Sequence, residues 1–314
     1  MNWFLLSVIT MLGWGSADLF YKKGTDENDP HSHLKIAVWV GIVMGVSSLI
    51  LLPFTETSFS IGSFFTNALK YSPASLCYIL SMVIGYAGLR YLEVSIISPI
   101  QNASGAFSMT VMAVFFTVTG TIASVWEEFS ALEWTGTLCV VAGVVALAFV
   151  QQHLEEKPKE KRYRISALAL LFPLAYCLFD TIGTAADGII LDEETGLGLG
   201  EIDVLVLYGL TFFAAGIIAW LIMLFKKERY NPFAKGERDK GFAALFEECG
   251  QIFYVFAMAS RPMLAAPLIA SYCIVSVILV RIFLKEKLQR SQYLCVALVI
   301  IGIIMLGIAE GLAG

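Results

Sequence analysis

The sequence predicts an all-α polytopic membrane protein, with ten transmembrane helices arranged as two inverted five-helix repeats. Three observations lead there. Of 314 residues, 58% are hydrophobic and only 15% charged, too little polar side chain to cover a soluble protein of this size. Apolar runs of about 20 residues follow one another along the chain, the length a helix needs to cross a bilayer core. Blocks of the first half also recur in the second.

In chain order the spans read as 3–22, 34–54, 73–91, 94–119, 132–151, 165–186, 203–225, 241–260, 263–284 and 290–311. The opening "MNWFLLSVITMLGWGSADLFYKKG" has no basic start and no A-x-A site, and its lysines stand at the far end. It is expected to stay as the first spanning helix rather than leave as a signal peptide. "LRYLEV" joins the third and fourth spans tightly. Pro99 and Pro267 fall inside the fourth and ninth. The stretch 152–163 is polar and charged, with a proline, and reads as a linker. It divides the chain into a first repeat, 1–151, and a second, 164–314.

Charge sets the expected orientation. One set of alternate loops carries Lys22, Lys23, Arg90, "EKPKEKRYR", "KKERYNPFAKGERDK" and "LKEKLQR". The other carries little basic beyond Lys70 and Arg261, with the acidic "WEEF" and "LDEETGLGLGEID". Short loops rich in Lys and Arg stay in the cytoplasm. The basic loops are therefore expected inside and both termini outside, in a plasma (bacterial inner) membrane.

The repeat is read by alignment. "VWEEFSALEWTGTLCVVAGVVAL" (125–147) matches "LKEKLQRSQYLCVALVIIGIIML" (284–306) at an offset of 159, placing Glu127 on Glu286 and Gly143 on Gly302. "YAGLRYLEVSIISPI" (86–100) matches "YVFAMASRPMLAAPL" (254–268) at an offset of 168, placing Tyr86 on Tyr254 and Pro99 on Pro267. Five spans per half invert the second copy, an arrangement suited to alternating access with a site between the halves.

"GWGSADLFYKKG" in the first span, the Pro99 and Pro267 segments, and above all "FLKEKLQRSQYLCVALVIIGIIML" resemble the drug/metabolite transporter superfamily, in its EamA-like ten-helix branch. The resemblance implies a central cavity lined mainly by the first, third, fourth, sixth, eighth and ninth helices. It also implies transport of a small metabolite. The usual Gly-Glu-Arg turn has become "WEEF" and "LKEK", and the N-terminal positive charge many members carry is absent.

The polar residues inside spans suggest what is carried. "FEECGQIFY" places Glu247 and Glu248 roughly 9–12 Å from Lys240, at about 1.5 Å per residue, too far for a short acid to snorkel. Intramembrane acids are costly and mark functional sites. Glu247, Gln251 and Tyr254 form one stripe at i, i+4 and i+7. Neighbours stand ~100° apart, so only one of the two acids can face a cavity squarely. Asp18 and Asp180 match across the halves, each four residues after an aromatic, Trp14 and Tyr176. Such a pair can hold an ammonium by charge and cation–π attraction. Asp18 can alternatively pair with Lys22. Asn102 follows Pro99, and Tyr272 follows Pro267.

These ten residues are the expected substrate-binding set. The expected activity is secondary active transport of a small cationic or zwitterionic metabolite (an amino acid, a choline-like amine or a polyamine), with Glu247 and Glu248 supplying either charge complementarity or proton coupling. A carrier of a neutral or anionic metabolite is the alternative. It lacks a central base, because Arg261 and Arg281 stand near span ends. Motifs of an intramembrane protease, a G-x-S-x-G hydrolase or a phosphate-binding loop are absent, so no enzyme is expected. No nucleic-acid face is visible. No cofactor or metal is expected: the six cysteines sit in apolar runs without C-x-x-C, and the histidines of "DENDPHSH" read as a solvated loop. The partners are the small-molecule substrate and the lipid bilayer.

Overall fold

The computed structural model describes residues 2–26, 28–55, 61–92, 94–155, 169–192, 196–285 and 288–313. Among them there is helix and turn and no strand. Ten helical stretches are long and apolar enough to cross a membrane. The protein is an all-α polytopic membrane protein.

The helices are α1 (Trp3–Gly24), α2 (Ser32–Leu51), α3 (Ile61–Gly88), α4 (Val94–Asn102), α5 (Ser104–Thr119), α6 (Val125–Glu128), α7 (Ala131–Glu155), α8 (Leu171–Leu191), α9 (Glu201–Phe225), α10 (Arg238–Ser260), α11 (Pro262–Ala270), α12 (Tyr272–Phe283) and α13 (Arg290–Ala313). Local chemistry sets their ends. Asn2 caps α1, its side chain accepting from the Leu5 amide at 3.0 Å. Ser130 and Glu133 form a reciprocal capping box before α7, with each side chain accepting the other's amide at 3.3 and 2.8 Å.

Four expected spans are corrected. The third begins far earlier than 73, because Pro73 is accommodated inside α3 and Lys70 reaches out to the Leu197 carbonyl at 3.0 Å. The sixth runs to Leu191, five residues past the expected end. The fourth and ninth are each two helices in line, broken at Ala103 and Ser271. The breaks stand four residues past Pro99 and Pro267, each of which lacks the N–H that would bond the carbonyl four residues before it. They stand 168 residues apart, the offset that aligned the two prolines. Residues 152–155 of the expected linker 152–163 continue α7, which runs to Glu155; 156–163, and Glu286 of the 159-residue alignment, lie outside the described residues.

The long helices pair across the halves: α1 with α10, α2 with α9, α3 with α8, α7 with α13 and α5 with α11. Glycine permits two of the closest approaches. A Cβ on Gly13 would meet the Gly250 backbone at 3.0 Å, and one on Gly41 would meet the Gly216 Cα at 2.8 Å. This is small-residue packing of the kind that brings membrane helices together. Gly45 and Gly307 also pack, on Phe213 and Phe4, whereas Gly311 meets nothing and is not a packing residue.

The ninth span lies at the centre, 83% of its apolar window buried against half or less for every other. Large apolar side chains such as Leu49, Ile50, Val118 and Phe225 face outward, as a lipid-facing surface requires.

The two ends differ in charge. At one, Lys22 donates to the carbonyls of Leu89 and Leu92 at 3.1 and 3.4 Å, and Lys23 lies over the Phe283 ring. At the other, Arg261 donates to Glu133 at 2.7 Å and Trp3 to Glu310 at 2.5 Å. They are called the basic and acidic ends below.

Candidate functional site

A polar concavity lies between the halves, at the level of the two helix breaks. Nine of the ten expected residues line it: Trp14, Asp18, Asn102, Tyr176, Asp180, Glu247, Gln251, Tyr254 and Tyr272. About 60 Å³ is open to the centre of a water molecule, room for a few waters. The walls come from the first, third, fourth, sixth, eighth and ninth spans, with Tyr208 of α9 added.

Each acid has its own setting. Asp18 accepts from Ser98 and Ser276 at 2.8 and 2.7 Å. These serines, on α4 and α12, hold it in place of the Lys22 pairing weighed from the sequence. Asp180 accepts from Ser104 at 2.6 Å, at the first residue of α5. Glu247 accepts from the Tyr86 hydroxyl at 3.2 and 3.3 Å, and Tyr86 also meets the Tyr21 hydroxyl at 3.3 Å. Hydroxyl donors compensate part of the cost of placing carboxylates away from bulk water.

Glu248 is the exception. It faces Ser47 on α2 and does not line the cavity. The ~100° between successive side chains turns it away once Glu247 points inward.

Aromatic rings make up much of the remaining wall. Trp14 lies 5.0 Å from Tyr254 and stands edge-on to Tyr272 at 5.7 Å. Tyr176 donates to the Met82 sulfur at 3.8 Å. Asn102 donates back to the Ser98 carbonyl at 2.6 Å, satisfying a carbonyl next to the break. Gln251 is buried, and its Nε2 has no hydrogen-bond partner. Among the described walls there is no Lys, Arg or His. The site thus combines three carboxylates, π-faces and hydroxyls, a chemistry suited to a cation.

Several wall residues were not singled out from the sequence. Tyr78 and Tyr208 line the acidic-end side, and Tyr78 meets the Tyr254 hydroxyl at 2.6 Å. Tyr71, Tyr78 and Tyr86 stand at spacings of seven and eight along α3, a periodicity that marks one helical face. Asp187 stands seven residues past Asp180 on the same face of α8, and is fully buried.

A separate His–carboxylate cluster, Asp29, His31 and Glu228, lies at the basic end. The Lys35 ammonium bonds Asp29 at 2.8 Å and Glu228 at 2.6 Å, and His31 pairs with Glu228. Lys35 therefore supplies the positive charge a metal would bring. The cluster ties the first loop to the segment after α9.

The EamA-like transporter family model matches residues 195–308. No curated protein matches. Among solved structures, 28 chains match. One, described as "Crystal structure of protein", is 13% identical, covers 99% of each chain and has a TM-score of 0.58, a likeness of fold. The chain is thus a ten-helix membrane protein whose second half matches the EamA-like transporter family model over residues 195–308.

Proposed function

We propose that the protein is a secondary active transporter for a small cationic or zwitterionic metabolite, such as an amino acid, a choline-like amine or a polyamine. One observation carries this reading: the described cavity walls hold Asp18, Asp180 and Glu247 and no basic side chain. The ammonium group of the substrate sits among these carboxylates and the rings of Trp14, Tyr176, Tyr254 and Tyr272. Gln251 and Asn102 offer hydrogen bonds to its polar remainder. Phosphorylated substrates would bring negative charge to three carboxylates and are disfavoured.

Residues 1–151 and 164–314 act as two inverted halves that rock about the cavity. The paired breaks in the fourth and ninth spans support this, as do the helix pairs formed across the halves. The cavity is narrow, so a metabolite enters only as helices part toward one end. The basic end faces the cytoplasm and both termini lie outside. A phosphatase fused at the C-terminus would then be active in a bacterial host, and a fluorescent protein fused there would be dark.

A thermal-shift panel on detergent-purified protein tests the substrate class. Cationic, zwitterionic, anionic and neutral metabolites are compared on wild type and on Glu247→Gln. A ligand at 100 times its dissociation constant stabilises by ~2.7 kcal/mol. Amines or amino acids are expected to stabilise the wild type and to lose most of that effect on the variant. Stabilisation of both proteins by anions or neutral sugars alone would overturn the proposal.

A further inference from the structure

We infer that Asp187 is a proton-binding site behind the cavity, and that its loading holds a layer of tyrosines shut at the acidic end. The inference takes from the proposed function only that the cavity opens toward alternate ends.

Asp187 is 0% exposed, and neither carboxylate oxygen has a hydrogen-bond partner. The hydroxyls of Tyr71 and Tyr78 on α3 and of Tyr254 on α10 face it, and none closes a hydrogen bond with it. Tyr208 of α9 also lies close, and Asp180 is the charged neighbour on its own helix. None of these groups is basic. The Tyr71 hydroxyl, 1% exposed, is likewise without a partner. Tyr78 is engaged elsewhere, with Tyr254 at 2.6 Å and Thr184 at 3.3 Å. Tyr78, Tyr208 and Tyr254 line the cavity, whereas Asp187 does not. The tyrosines therefore stand between Asp187 and the substrate site.

A bare carboxylate at this depth, with neither donor nor counter-charge, is strongly disfavoured. Among the described residues no cluster of His, Cys, Asp or Glu joins Asp187 to hold a metal ion, so a proton is the cation that fits. The proton adds to one carboxylate oxygen from water and leaves to water when the layer parts, with no other bond made or broken. In the closed arrangement the neutral acid is tolerated. When the layer parts, water reaches the group and it can ionise. Proton binding and closure are then linked, and each pH unit shifts the closed-to-open ratio by up to about tenfold.

Hydrogen–deuterium exchange of the full-length protein in nanodiscs tests this near pH 6 and pH 8, after correction for intrinsic amide rates. In wild type, segments 71–78 and 187–191 are expected to exchange at least about threefold faster at the higher pH. Asp187→Asn is expected to exchange slowly at both, and Glu247→Gln to keep the wild-type response. A pH response that survives in Asp187→Asn, or vanishes in Glu247→Gln, overturns the inference. So does closure near pH 8 on exchanging potassium chloride for sodium chloride, which would make the site a sodium site.

Should Asp187→Asn fail to fold, dicyclohexylcarbodiimide on wild type replaces it, since this reagent adds to protonated carboxyls in apolar surroundings. An adduct mapped to Asp187 that is stronger near pH 6 supports the site. Absence of that adduct while Glu247 is labelled overturns it. Neither arm uses a substrate, so an error in the proposed substrate class leaves both results unchanged.

Discussion

Trp14 donates its indole N–H to the backbone carbonyl of Glu247 across 3.2 Å. That carbonyl belongs to the residue whose side chain enters the cavity, so one bond fixes both the α1–α10 contact and the aim of the acid. The same ring covers Gly250, where an added Cβ would meet it at 2.4 Å. Trp14→Phe is expected to keep most of the ring surface and lose the bond, destabilising by about 0.5–1.5 kcal/mol. Denaturation in detergent reads the stability. Loss of ligand-induced stabilisation beyond that amount would show that the indole also positions Glu247.

The adjacent acids are expected to behave differently. Glu247→Gln should weaken an amine or amino-acid ligand about tenfold or more, or ~1.4 kcal/mol. Glu248→Gln should change affinity by no more than about twofold, because Glu248 points toward Ser47. Isothermal titration with whichever ligand the thermal-shift panel identifies makes the comparison. Equal losses in both variants would mean that α10 rotates between states.

Glu133 does two jobs at the acidic end. It accepts the Ser130 amide at 2.8 Å and the Arg261 guanidinium at 2.7 Å. Glu133→Ala removes the carboxylate half of the capping box, worth about 1 kcal/mol, keeps the Ser130 cap on the residue 133 amide, and leaves Arg261 without that partner. Arg261→Met removes the ion pair and the guanidinium that lies 5.9 Å over the Phe129 ring, and leaves the capping box in place. The expected order of thermal stability is wild type, then Arg261→Met, then Glu133→Ala, and a melting series checks it.

The Asp29–Lys35–Glu228 cluster predicts an acid-side response. Burial alone would raise Asp29, but the Lys35 bond, the His31 amide and the charges of Lys35 and His31 together hold it below the usual range. The Lys35 bond lowers Glu228 most, against a smaller effect of burial. Both carboxyls are thus depressed on folding. Their contribution is complete above the unfolded values of about 4 and is lost as pH falls through the folded values. Lys35→Met should cost about 0.5–1 kcal/mol near neutral pH. Its deficit should shrink below about pH 4, where both acids protonate, as melting curves across that range would record.

Much of this was legible in the chain because membrane burial writes long apolar runs, and an acid inside one has few innocent explanations. Glu247, Gln251 and Tyr254 could be placed on one face by helical spacing alone. The cavity membership of Trp14 and Tyr176 followed from their four-residue distance to Asp18 and Asp180. What spacing could not give was the partner helix. Ser276 holds Asp18 from 258 residues away, and nothing local marks that serine. Asp187 was overlooked because it sits one turn from the end of α8, where an acid could equally meet water. The early start of α3 was missed because Lys70 and Pro73 read as a boundary, although a lysine can reach outward and a proline can be absorbed by neighbours.

The pairing of helices across the halves has a consequence for biogenesis. When α1 leaves the ribosome, the helix it packs against, α10, does not yet exist, and one of the hydroxyls that satisfies Asp18 lies 258 residues downstream. At about 5–20 residues per second, translation needs roughly 13–50 s to supply it. Through that interval the glycine face of α1 and the acid beside it must be sheltered by the insertion machinery or tolerated in lipid. Quality control during synthesis therefore falls on the first helix, and truncated chains that stop before α12 would present the membrane with an acid that has Ser98 but never gains Ser276.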